Sequence, residues 1–161
     1  MEIKREAAYH EAAHAVLASI SKYHAIIGDI NLLSYGAGEI YISLSRSKCA
    51  TGGKPQDPSA QKDKEVARDF ATVLCAGFVG EQIASERDST LTPNPECAKK
   101  DHALIEQQLQ IASLSKKYDL YQSQARKLLE KHWDTVERVA MYLFANRSAT
   151  PHQVATIIGA I

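Results

Sequence analysis

The sequence contains no long apolar run. None of its stretches approaches the roughly 20 residues that a membrane-spanning helix needs. The opening "MEIKREAAYHE" lacks the apolar core of a signal peptide and enters a charged helix directly. Nor is there an excess of either charge. Lysine plus arginine and aspartate plus glutamate number 19 each. That balance excludes the basic footprint of a nucleic-acid binder and the polybasic patch of a membrane anchor. Cysteine is scarce: Cys49, Cys75 and Cys97 are odd in number, widely spaced and form no C-x-x-C. A disulfide framework and a zinc knuckle are therefore excluded, and packed, reduced thiols in a cytoplasmic protein are expected. No internal repeat, low-complexity segment or Walker-type G-x-x-x-x-G-K-[ST] is present. What remains is 161 residues, 45% apolar and 24% charged, the balance of a single globular domain.

Patterning along the chain predicts a mainly α domain with a small β-hairpin, an α+β fold with about five helices. Residues 4–21 are alanine-rich, without proline or glycine, and read as the first helix. Residues 25–45 change character. Two apolar runs, 26–33 and 39–44, flank "SYGAG", whose glycines suit a hairpin turn. In the second run Ile40, Ile42 and Leu44 alternate with Glu39, Tyr41 and Ser43, so each set takes one face. Residues 46–59 read as a polar loop, with glycines and prolines that suit either a movable lid or a fixed irregular path. The rest, 60–161, reads as helical. One helix spans about 60–85, and a second opens at Asn94–Pro95 and runs to about 117. A third, capped by Asp119, spans about 120–145. A short last one opens with the capping-box pattern Thr150–Gln153.

The first helix carries the chemistry. In "AAYHEAAHAVLA", His10 and His14 stand four residues apart with Glu11 between them. Residues i and i+4 lie one turn apart on the same face, so both imidazoles can aim at one metal ion. Zinc accepts that pair at about 2.0–2.1 Å per nitrogen. Glu11, next to the first ligand, can act as base toward a metal-activated water without binding the metal itself. The bland reading is an alanine-rich helix that happens to carry two histidines. Ala12, Ala13 and Ala15 speak against it, because small residues let another helix come close.

Catalytic zinc takes three protein ligands and keeps a position for water. A third histidine six residues on is absent, since that position is Ile20, and His24 falls at the start of the hairpin. Later candidates are Glu81, Asp101 and His102, with Glu106 weaker; spacing does not choose among them. Asp101 and His102 point about 100° apart on a helix, so the two would not bind one ion together. Glu81 could instead orient a zinc histidine through its other nitrogen. Gly77 and Gly80 each cost about 1 kcal/mol within a helix, which close packing against the first helix would justify. The strand 39–44 is a candidate edge for an extended peptide, and Trp133 reads as core.

"AAYHEAAHAVLA" resembles the zinc helix in the peptidase domain of FtsH-type ATP-dependent metalloproteases. "GDINLLSYGAGEIYISL" is similar to that family's β element, and "ATVLCAGFVGEQIA" to its small-residue helix. "CAKKDHALIEQQLQIA" resembles the segment in which an aspartate opens a helix as third zinc ligand. "ARKLLEKHWDTVERVAMYLFANRSATPHQVATII" resembles its C-terminal helices. The resemblance implies one zinc per chain on His10, His14 and Asp101, with Glu11 as general base. It implies endopeptidase activity on unfolded or flexible polypeptide. It also implies a ring-shaped homo-oligomer or a separate ATPase partner, because the ATPase module and membrane anchor are expected to be absent. The alternative class is a non-catalytic zinc-binding or protein-interaction domain.

Overall fold

The computed structural model describes residues 3–33 and 38–159. It is mainly helical with a small antiparallel β element. Helix α1 (Arg5–Ile20) lies at the centre, and every residue from His10 to Ala18 is buried. A helix covered all round must pack on every face, and alanine makes that feasible at short range. Helix α3 (Lys64–Arg87), α6 (Trp133–Asn146), α5 (Tyr118–Lys131) and strand β1 (His24–Ile26) surround it. Gly80 marks a close approach of α3 to α1: a Cβ there would stand 2.5 Å from the Cβ of Ala13. No helix of the described residues is long and apolar enough to cross a membrane.

The β element is more broken than the expected hairpin. Strand β1 pairs antiparallel with β4 (Ile42–Leu44), His24 facing Leu44 and Ile26 facing Ile42. Strand β2 (Ile30–Leu32) pairs with β3 (Gly38–Glu39), Asn31 facing Glu39. The first strand run thus carries two more residues between these pairs than the second. Gly28 takes up the bend at φ +74, a conformation that a side chain would strain. Strand β2 also pairs with β5 (Ser148–Ala149), two residues just past α6. The expected turn at "SYGAG" falls mostly on residues 34–37, outside the described residues.

The expected count of about five helices becomes seven α-helices among the described residues, for two reasons. First, the supposed loop 46–59 holds α2 (Arg46–Thr51), opened by the Ser45 hydroxyl accepting from the Lys48 amide. A 3-10 turn, Pro58–Lys62, follows, capped by Asp57. Cys49 and Ala60 are buried with Tyr23, and a Cβ on Gly52 would lie 2.6 Å from the Tyr23 ring. The segment thus follows a defined path, anchored on Tyr23 at Cys49 and Gly52. Second, the single helix expected over 120–145 breaks at His132, where α5 ends and α6 begins. Thr135 and Val136 donate to the His132 carbonyl and start the new helix. The break lets α5 cover α3 while α6 covers α1. Asp119 is not the cap: α5 begins at Tyr118 and Asp119 sits in its first turn. Helix α4 (Ala98–Ile111) is shorter than expected, because a 3-10 turn occupies Pro95–Cys97 and Ser113 has positive φ. Helix α7 (Pro151–Ile158) has its capping box, Thr150 and Gln153 bonding each other's amides.

Candidate metal centre

Helix α1 delivers His10, Glu11 and His14, all buried, to the side facing α3 and α4. Asp101, in the first turn of α4, reaches the same point from 87 residues away in sequence. Its Oδ2 lies 3.0 Å from Nε2 of His10 and 3.0 Å from Nε2 of His14. The two Nε2 atoms are 3.2 Å apart, with the rings nearly perpendicular at 74°. Among the described residues these three are the group of His, Cys, Asp or Glu gathered tightly enough to hold a metal ion.

The protons decide what such a cluster accepts. Nδ1 of His14 lies 3.0 Å from the Val73 carbonyl, which can only accept, so Nδ1 carries the proton. Nδ1 of His10 donates to Oε2 of Glu81 at 2.6 Å. When neutral, both rings therefore turn an Nε2 lone pair toward an Asp101 oxygen that also has only lone pairs. Three acceptors converge on one spot, and only a cation or added protons can sit there. Tetrahedral coordination at 2.0–2.1 Å separates ligand atoms by about 3.3 Å, close to the 3.0–3.2 Å found. A two-nitrogen, one-oxygen set suits zinc and other first-row divalent ions. The residues fit a metal.

The electrostatics agree with that reading. Burial alone would push the pKa of both histidines down. The carboxylate of Asp101, with Glu81 and Glu11 at His10 and Glu11 at His14, outweighs burial and holds both above the ordinary value. Burial would raise Asp101, yet the two imidazoles keep it far below the usual carboxylate range. Glu11 moves the other way: burial raises it, and the nearby histidines only partly offset that. Its Oε1 stands 3.7 Å from Nε2 of His10. Its Oε2 is buried and makes no hydrogen bond among the described residues.

Neighbouring residues set the shape. A Cβ on Gly77 would overlap Nε2 of both histidines and come within 2.6 Å of His10 Cε1. Close packing, and no kink, is thus the reason for this glycine inside α3. Gly38 of β3 plays the same part for Glu11, whose Cγ would lie 2.5 Å from an added Cβ. A cleft of about 390 Å³ opens over the cluster. Ile40, Ile42, Phe70, Leu74 and Leu104 give it apolar walls, and Glu96 and Lys100 stand with Asn94 at its polar side.

The other candidates separate cleanly. Glu81 is buried behind His10, and its second oxygen accepts the Asn94 amide at 3.0 Å, tying α3 to the chain entering α4. It touches Nδ1 and never the convergent Nε2. His102 lies against Tyr118, ring centres 5.2 Å apart, and Glu106 pairs with Lys116 at 3.3 Å. Neither joins the cluster. Cys75 is packed, its thiol pushed up to about 12 by burial, and Trp133 stacks on Tyr9 in the core. The Val73 carbonyl and Gly38 had no signal in the sequence, since one is backbone and the other matters only through its neighbour.

No protein-family model matches the chain, and no curated protein matches it. The geometry carries the functional argument.

Proposed function

We propose that the protein is a zinc-dependent endopeptidase acting on unfolded or flexible polypeptide, with Glu11 as general base. One observation carries this reading. The buried carboxylate of Glu11 lies 3.7 Å from one of three convergent ligand atoms, and it lines the same cleft as all three. Zinc held by His10, His14 and Asp101 would polarise both the attacking water and the scissile carbonyl. Glu11 takes the water's proton as the water adds to the carbonyl carbon, then passes it to the leaving amine. Glu81 and the Val73 carbonyl fix the two imidazoles through Nδ1, which keeps each Nε2 free to bind.

The cleft suits an extended chain. Among the described residues β4 pairs only with β1, which leaves its other edge for a peptide strand. The likeness of "AAYHEAAHAVLA" to the FtsH-type zinc helix supports the same chemistry, and with it an oligomeric ring or an ATPase partner. The test is direct. Purified protein should carry about one zinc per chain and cleave an unfolded protein such as casein. Glu11→Gln should keep the zinc and lose at least about a hundredfold in rate, the usual weight of a general base. Zinc binding without cleavage by the parent protein would make this a non-catalytic zinc domain. Equal cleavage by parent and variant would remove Glu11 from the mechanism.

A further inference from the structure

A second cavity, of about 220 Å³, adjoins the metal cleft, and Ile42, Phe70 and Leu104 line both. Its polar lining is unlike the apolar walls next to the metal. At its base is His24, buried at 3% exposure, its ring tilted against Phe70 with centres 5.2 Å apart. Nδ1 of His24 lies 2.6 Å from Oδ2 of Asp69. Asp69 is itself fixed by the Tyr23 amide at 3.1 Å on that oxygen and the Lys22 amide at 3.2 Å on the other. A carboxylate so held accepts from Nδ1–H, which leaves Nε2 of the neutral ring as an acceptor. Nε2 makes no hydrogen bond among the described residues, yet it is not among the polar atoms sealed from solvent. His24 lines the cavity, and Nε2 is its ring nitrogen without a partner among the described residues.

Around that acceptor stand amides. Gln107 is exposed at the cavity, Gln61 is half-buried there, and Gln108 is anchored by donating to the Gln61 carbonyl at 2.9 Å. The carboxylate nearest to His24 is Asp69, and it is already engaged three times. An ammonium group would find no free countercharge, whereas a carboxamide can donate to Nε2 and accept from a glutamine amide. Along the same edge Leu104 and Ile111 of α4 are exposed, seven residues apart and so on one helix face, as an apolar rail from one cavity to the other.

From this we infer that the His24 pocket is a specificity subsite of the cleft, selecting a glutamine or asparagine side chain at one position of a bound extended peptide. The inference rests on the peptidase reading for its place along a substrate, and its binding test stands apart from cleavage. The probes are short alanine–leucine peptides in which one glutamine is walked through the sequence. Binding is titrated to the Glu11→Gln protein with and without added zinc, and cleavage of the same peptides is followed with the parent protein. One register of glutamine should bind and be cleaved at least about fivefold better than its leucine analogue, the weight of one neutral hydrogen bond. Gln107→Leu, an exposed change, should reduce that preference. Asp69→Leu, which removes the acceptor that holds the proton on Nδ1, should release the tautomer and weaken the preference for glutamine. Preferential binding without cleavage would uphold the subsite and remove the peptidase. Cleavage or binding that is indifferent to glutamine in every register, or a preference unchanged in both variants, would overturn the subsite.

Discussion

Replacing Gly77 by alanine opposes two effects of known sign. Glycine inside a helix costs about 1 kcal/mol relative to alanine, so propensity alone predicts a more stable protein. The structure predicts the reverse. The added Cβ would overlap Nε2 of His10 and of His14, and neither ring can step aside. Glu81 holds His10 through Nδ1 at 2.6 Å, and the Val73 carbonyl holds His14 at 3.0 Å. Overpacking a close-packed interior costs about 1–3 kcal/mol. Breaking either Nδ1 contact adds about 1 kcal/mol or more. The net should be a loss of about 1–3 kcal/mol, or a fall in Tm of roughly 3–10 °C at this size. Zinc affinity should drop by at least the 10- to 100-fold typical of disturbed ligand orientation, an order-of-magnitude figure. Gly80→Ala is the control, because its Cβ meets Ala13 and no ligand. It should destabilise comparably while holding zinc far better. Thermal unfolding with and without zinc, together with zinc titration, measures both. A Gly77→Ala protein as stable as the parent and equally tight for zinc would refute the reasoning.

The remaining predictions concern the ligands and their protons. Asp101→Ala should weaken zinc more than Glu81→Gln does, because Asp101 faces the convergent Nε2 atoms and Glu81 only Nδ1. The reverse order in a zinc competition titration would make Glu81 the ligand. In the metal-free protein His10 and His14 titrate above 6.5, so their contribution to stability is complete below 6.5 and fades as pH rises through the elevated values. Asp101 titrates below 3.8, so its contribution is complete above 3.8 and fades as pH falls. The joint contribution of these three groups should therefore be greatest between pH 3.8 and 6.5, and Glu11, raised by burial above 4.5, subtracts from it as pH climbs through its own elevated value. Zinc needs deprotonated imidazoles, so the rise in Tm on adding zinc should grow from about pH 6 to about pH 8. A zinc effect that shrinks over that range would contradict this assignment.

The sequence by itself determined what one turn of helix can determine. His10, Glu11 and His14 share a face because 3.6 residues complete a turn, and no distant contact is needed for that. The alanines around them announced close packing, and Thr150 with Gln153 announced its own cap, since both signals are local. Tertiary structure decided the rest. Asp101 and Glu81 are both acidic residues on later helices, and only the packing of α3 and α4 on α1 puts one at Nε2 and the other at Nδ1. The break at His132 has no glycine or proline to mark it; it exists because α5 must cover α3 while α6 covers α1. Strand β5 is two residues long and has no periodicity to read; it exists because β2 presents an edge to pair with. The acceptor on His24 likewise depends on Asp69, 45 residues away, to hold its proton on the far nitrogen. Local spacing fixes which residues can act together on one helix, and the long-range packing of separate helices fixes what they act upon.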